Sequence, residues 1–163
     1  MRLRRFLLLV LLLFGSIGCD QVTKSIASHT IARGPAVSLF HDTVRLQLVE
    51  NEGAFLGLGD DMSSSARFWI LTVANSALIV GLLIVLITRW RMSSLQFTGL
   101  ALMVGGGLGN LIDRLINDGR VVDFLNVGIG PLRTGIFNVA DLAITAGAVA
   151  LLFVRGRGLD ERA

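Results

Sequence analysis

FGSIGCDQVTK, residues 14–24, decides how the chain begins to fold. It follows a basic tip, MRLRR, and an apolar run, FLLLVLLL, so Cys19 stands where a bacterial lipoprotein signal peptide would be cut. A helix from Phe6 to Cys19 is about 21 Å long, which suits a signal-peptide core. Continued through Asp20, Lys24 and Ala27 it reaches about 33 Å, enough to cross a bilayer. Two details favour the longer helix. The position three before Cys19, usually Leu in a lipobox, is Ser16. Asp20 and Lys24 are four apart with the acid first, so they pair on one helix face near its far end. The expectation is a retained first span over residues 6–27.

The composition agrees with a membrane protein. Of 163 residues 53% are apolar and 17% charged, with a mean hydropathy of +0.70. Three more segments have the length of a span: 68–88, 95–112 and 136–154. Four transmembrane helices in one integral-membrane domain, 1–163, therefore follow. The net charge of +3 lacks the aromatic and basic interleaving of a nucleic-acid surface, and Tyr is absent. Topology accounts for it instead. With residues 1–5, 89–94 and 155–163 in the cytoplasm, that side carries Arg2, Arg4, Arg5, Arg89, Arg91, Arg155, Arg157 and Arg162, more than half of the 15 basic groups in far fewer residues than the other side. Both termini are then cytoplasmic. Of 12 acids only Asp160 and Glu161 join them, so carboxylate chemistry belongs at the outer face. One cysteine forms no internal disulfide, and neither Cys/His metal spacing nor any cofactor motif is present.

The outer segments are about 28–67 and 113–135. VSLF at 37–40 and TVRLQLV at 43–49 read as strands of a small extracytoplasmic β-sheet, and NEGAFLGLGDD follows. VVDFL at 121–125 reads as part of a second loop over the site. GGGLGN at 105–110 lies within a span, where Gly105 and Gly109 suit close helix packing. There is no HExxH, GxSxG or GxxxxGK. What remains is a collection of acids and amides at the outer ends of the third and fourth spans. Asn110, Asp113 and Arg114 share one helix face. Asp141, near the start of the fourth span, costs about 2–3 kcal/mol to insert and needs a partner, for which Asp123 is the natural choice. Two aspartates in a partly dry site share one proton and can activate water for amide hydrolysis. Spacing alone leaves a second possibility open, a proton-coupled transporter with Asp141 as carrier.

DQVTK at 20–24, NEGAFLG at 51–57, GGGLGNLIDR at 105–114, VVDFL at 121–125 and FNVAD at 137–141 together resemble the lipoprotein signal peptidases, or signal peptidase II, in family order across nearly the whole chain. The resemblance implies a bacterial inner-membrane aspartyl endopeptidase that cuts lipid-modified prolipoproteins on the amino side of a diacylglyceryl cysteine. It implies that Asp123 and Asp141 are catalytic, and that Asn51, Gly53, Asn110, Asp113, Arg114, Asn138 and Ala140 shape the site or hold substrate. Asp20 and Lys24 would be a structural pair. Membrane lipid and globomycin-type inhibitors are the other expected partners, with no metal, no cofactor, no nucleic acid and a monomeric state. Many relatives read NxGAAF where this chain reads NEGAFL, so the register after Gly53 is open. Further expectations are that Asp113 orients Arg114, that Asn51 contacts substrate, that Glu50 and Glu52 are solvated, and that Phe55 touches the membrane surface. His29 and His41 receive no role.

Overall fold

The computed structural model describes residues 2–31, 34–53, 63–89 and 92–157. Helix α1 runs unbroken over Arg2–Thr30, straight through Cys19. The next helical stretch opens as α2 (Ser64–Arg67), continues as a π-helix over Phe68–Ala74 and reverts to α in α3 (Asn75–Thr88). A π-helical run of this length is uncommon, and such segments concentrate at functional sites. Helix α4 (Ser94–Ile116) starts at a capping box in which Ser93 Oγ accepts from Gln96 N–H and Gln96 Oε1 accepts from Ser93 N–H. Helix α5 covers Val139–Arg157. Three helices, Leu3–Thr30, Ser65–Thr88 and Ser94–Ile116, are long and apolar enough to cross a membrane, and a shorter apolar helix covers Val139–Val154. The helix expected from Ile136 thus begins at Val139. The cause is local: Ile136 to Asn138 stay extended because Phe137 pairs with Leu125 as an isolated bridge.

The exposed apolar surface is large. Leu7, Leu11, Phe14, Trp69, Ile84, Leu152 and Phe153 are all exposed, an apolar area that a water-soluble monomer does not carry. Inside, Leu9, Ile79, Leu86, Phe97, Ala101 and Val104 form the core. Glycines allow α4 to lie close against its neighbours. A Cβ at Gly105 would fall 2.7 Å from Ser16 Cβ of α1, and one at Gly106 would collide with the Ala140 carbonyl oxygen and lie 2.9 Å from Ile144 Cγ1. Gly106→Ala is therefore expected to cost about 1–3 kcal/mol, since α5 must back away at the turn that carries Asp141. Thermal unfolding in detergent checks this, and a variant as stable as the parent would contradict it.

Four antiparallel strands cap one end of the bundle in the order β1 (Val37–Leu39), β2 (Val44–Asn51), β3 (Val121–Ile129), β4 (Leu132–Arg133). VVDFL is thus a strand of the same sheet and not a separate loop. Alternating β-formers in β2 needed a partner, and the segment after α4 supplies it: Val49 faces Asp123 and Asn51 faces Val121. The register shifts between Leu46 and Val49. Opposite that bulge, Phe124 and Leu125 N–H turn to the Phe137 carbonyl, at 3.1 and 2.8 Å. The chain leading to Asn138 is thereby fastened to the strand that carries Asp123. At the far end of the sheet, Phe40, His41 and Asp42 adopt positive φ. The turn is held by hydrogen bonds from Ser38 and Arg45 to the Asp42 carboxylate, which Arg45 keeps well below the usual range.

Candidate active site

Helix α5 begins with a reciprocal cap. Asn138 Oδ1 accepts from Asp141 N–H at 3.0 Å, and Asp141 Oδ2 accepts from Asn138 N–H at 3.2 Å. The acid is thus fixed at the helix amino end, where the dipole favours negative charge. The Asn138 amide then reaches outward and donates to Asp123 Oδ1 at 2.6 Å. One asparagine therefore touches both aspartates. Each is tied down again from another side: Asn51 Nδ2 donates to Asp123 Oδ2 at 2.8 Å, and Asn110 Nδ2 donates to Asp141 Oδ1 at 2.9 Å. Asn110 Oδ1 in turn accepts from Asn138 and from Lys24, closing the network. Asp123 is 2% exposed and Asp141 7%.

Burial pushes the Asp123 carboxyl up to about 6. The Asn51 hydrogen bond opposes that rise, the charge of Asp141 reinforces it, and Asn138 and Lys24 also oppose it.

Beneath this pair lies a buried ionic cluster. Lys24 stands 2.7 Å from Asp20 Oδ2 and 2.9 Å from Asp113 Oδ2. Asp20 Oδ1 accepts from Ala140 N–H, Asp113 Oδ2 accepts from Val122 N–H, and Gln21 donates to Asp113 Oδ1. Four elements, α1, α4, β3 and α5, are joined here next to the aspartates. Asp20 and Lys24 pair as the sequence suggests, but Asp113 belongs to them and does not orient Arg114. Arg114 Nη2 instead donates to the Gly53 carbonyl at 2.7 Å, while its Nε is buried with no acceptor among the described residues.

Asn51 Nδ2 donates to Asp123, and its Oδ1 accepts from Gly53 N–H at 2.8 Å, closing a tight turn. Glu52 is ion-paired with Arg67 at 2.8 Å and with Arg120 at 3.1 Å, and Glu50 lies 3.5 Å from Arg120, so neither acid is simply solvated. Phe55 and the register after Gly53 lie outside the described residues. His29 makes a local contact with the Ser25 carbonyl. Gln21 and Arg120 were missed by sequence reasoning. Gln21 sat inside the quoted DQVTK, one residue from Asp20, but its long-range partner depends on how α1 meets α4.

A cavity of about 380 Å³ opens onto Asp141, Asn110 and Arg114 from the side of the π-helical segment. Ile70, Leu71, Ala74, Leu78 and Ile144 make its walls apolar. Among the described residues no group of three His, Cys, Asp or Glu is placed to hold a metal ion. The arrangement suits acid–base chemistry: two buried carboxylates, a positive neighbour, and an apolar approach.

Comparison with known proteins gives a consistent result. The family described as Signal peptidase (SPase) II matches residues 12–155. The lipoprotein signal peptidase of Rhodococcus jostii (strain RHA1) is 36% identical over 162 residues, covering 96% of this chain and 76% of that protein. The lipoprotein signal peptidase of Mycobacterium avium (strain 104) is 34% identical over 162 residues, covering 96% and 83%. A bacterial membrane enzyme solved by the in meso method at 2.3 Å resolution shares the fold, with a TM-score of 0.82 at 24% identity over 95% of this chain and 91% of the other.

Proposed function

The chain belongs to the signal peptidase II family, and from that premise we propose that it is an aspartyl endopeptidase whose catalytic pair is Asp123 and Asp141. It is a bacterial multi-pass membrane peptidase that acts on prolipoproteins. The finer reading is that it cuts on the amino side of a diacylglyceryl-modified cysteine, at the extracytoplasmic face of the inner membrane, with both termini in the cytoplasm and α5 as the fourth span. The observation that carries it is that Asn138 ties down both aspartates, its side-chain Nδ2 donating to Asp123 Oδ1 and its backbone N–H to Asp141 Oδ2.

The mechanism follows from two carboxylates sharing one proton. The ionised member takes a proton from a water held between them, and that water attacks the scissile carbonyl. The protonated member hydrogen-bonds the carbonyl oxygen and then passes its proton to the leaving amine. Asn51, Asn110 and Asn138 hold the four carboxylate oxygens in place, so little reorganisation is needed during the reaction. The buried Nε of Arg114, beside Asp141 in the cavity wall, supplies a donor for a substrate carbonyl. The apolar cavity lets acyl chains enter sideways, each buried methylene contributing about 0.8 kcal/mol. On this reading the sheet lies on the outer leaflet. The face that carries Asp123 turns toward the helix ends, where Asn138 meets it. The transporter alternative gains no support, because the buried polar groups gather at one end and the buried residues of α3 are Ile79 and Leu86.

The test is to incubate the purified protein with one prolipoprotein, with and without the diacylglyceryl group, and to sequence the product. Cleavage before the cysteine of the modified form alone is expected. Equal cleavage of both forms, or a cut elsewhere, would contradict the reading. The same assay gives a pH prediction. Asn51 stabilises the charged form of Asp123, so Asn51→Ala raises the protonation range of the pair. The pH–rate profile is expected to move upward by up to about one pH unit; a profile that stays in place would show that this hydrogen bond does not tune the pair.

A further inference from the structure

Beyond its bulge the sheet has two faces of opposite chemistry. Phe124 and Leu125 N–H both point to the Phe137 carbonyl, so the alternation of β3 slips by one there. Asn126, and not Leu125, therefore shares a face with Asp123; Asn126 is buried and Val127 exposed. The register sorts the rest. Ser38, Arg45, Asn126 and Arg133 stand on one face. On the other, Leu39 lies beside Val44, Val44 beside Val127, and Ile129 beside Leu132, with no polar side chain in either row. A sheet washed by water turns its polar face outward. Here the order is reversed. The Arg133 side chain is 11% exposed, with Nε donating to Asn126 and Nη1 to the Asp42 carbonyl. Ile129 and Leu132 are 80% and 83% exposed, and Phe40, in the β1–β2 turn at the same end of the sheet, is 76% exposed.

The apolar face begins where the first span ends. Val122, which alternates with Asp123, lines a cavity of about 390 Å³ with Leu48 and with Ser28, His29 and Ile31 at the end of α1. Helix α1 thus reaches the sheet on the side away from Asp123, and the apolar rows run on from it along that same side. A helix that crosses the bilayer borders lipid up to its end, so the surface beside it is continuous with lipid. We infer that this face of the sheet rests on the bilayer, with Phe40, Ile129 and Leu132 reaching into the acyl chains of the leaflet that α1 leaves. The inference rests on the membrane placement proposed above and adds which side chains hold the sheet there. As edge strands, β1 and β4 present backbone groups that hydrocarbon cannot satisfy. The backbone therefore stays at headgroup level and only the side chains enter. The leaflet so fixes the height of the strand that carries Asp123.

The experiment uses the full chain in vesicles of phosphatidylethanolamine and phosphatidylglycerol. Its sole cysteine, the exposed Cys19, is changed to Ser, and one spin label at a time is attached through Ile129→Cys, Leu132→Cys or Ser38→Cys. Phe40→Cys supplies a further position on the other turn should either of the first two fail to fold. The quantity read is the ratio of collisions with oxygen, which concentrates in acyl chains, to collisions with a water-soluble nickel chelate. Labels at 129, 132 and 40 are expected to give a ratio above one, and the label at 38, on the polar face, a ratio below one. Nickel access at 129 and 132 equal to that at 38 would overturn the inference, since the face would then meet water. Shielding of both positions from oxygen and nickel alike would also overturn it, because protein would then cover the face, whether another segment of this chain or a second copy. No cleavage is read, so either failure leaves the catalytic pair untouched, and loss of the aspartyl assignment would not move the labels.

Discussion

Replacing Lys24 with Met is expected to destabilise the protein by about 3–5 kcal/mol, the usual effect of removing one partner from a buried ionic cluster. The ammonium is almost wholly buried and has three acceptors: Asp20 at 2.7 Å, Asp113 at 2.9 Å and Asn110 at 3.0 Å. Methionine has nearly the same shape, so packing is preserved and the charge is what is lost. Two carboxylates then face each other with only Gln21 and backbone N–H groups between them. Activity should fall as well, because Asn110 loses the donor that fixes its amide against Asp141. Thermal unfolding in detergent micelles measures the first effect. The double variant Lys24→Met with Asp20→Asn should recover part of the loss, since one uncompensated charge is gone. A loss below about 1 kcal/mol in Lys24→Met would show that the cluster is solvated rather than buried.

Much of this fold can be read along the chain, and the reasons differ from place to place. Helices α1, α3 and α4 announce themselves by apolar length, because a bilayer leaves the backbone no partners but its own. DQVTK is legible for a similar reason: acid and lysine four apart on an apolar helix must satisfy each other. The pairing of β2 with β3 was hidden. The strands lie some 70 residues apart, and no local pattern states that the segments before and after the second and third spans share one sheet. For the same reason Asp113 was assigned to its chain neighbour Arg114, although helical geometry and the approach of α1 give it to Lys24. A signal that could have been used is the Asn138 and Asp141 spacing of three, a capping pattern that starts the last helix at Val139 and excludes Ile136. The π-helical turn of Phe68–Ala74 leaves no mark in composition.

The two aspartates carry the largest expected effect. Either Asp123→Asn or Asp141→Asn should lower the cleavage rate by about 10²–10⁴-fold, the range associated with one general acid–base group. Their double variant should be little worse than either alone, because the pair acts as a unit. The asparagine also replaces an acceptor with a donor, against the amides of Asn51 and Asn138 at Asp123 and those of Asn110 and Asn138 at Asp141. Folding must therefore be followed by thermal unfolding alongside activity. The decisive measurement is cleavage of a diacylglyceryl-modified prolipoprotein by each purified, folded single variant, read on a gel over the time in which the parent converts all of it. The account predicts uncut substrate with both variants; processing at the parental rate by either one would contradict it.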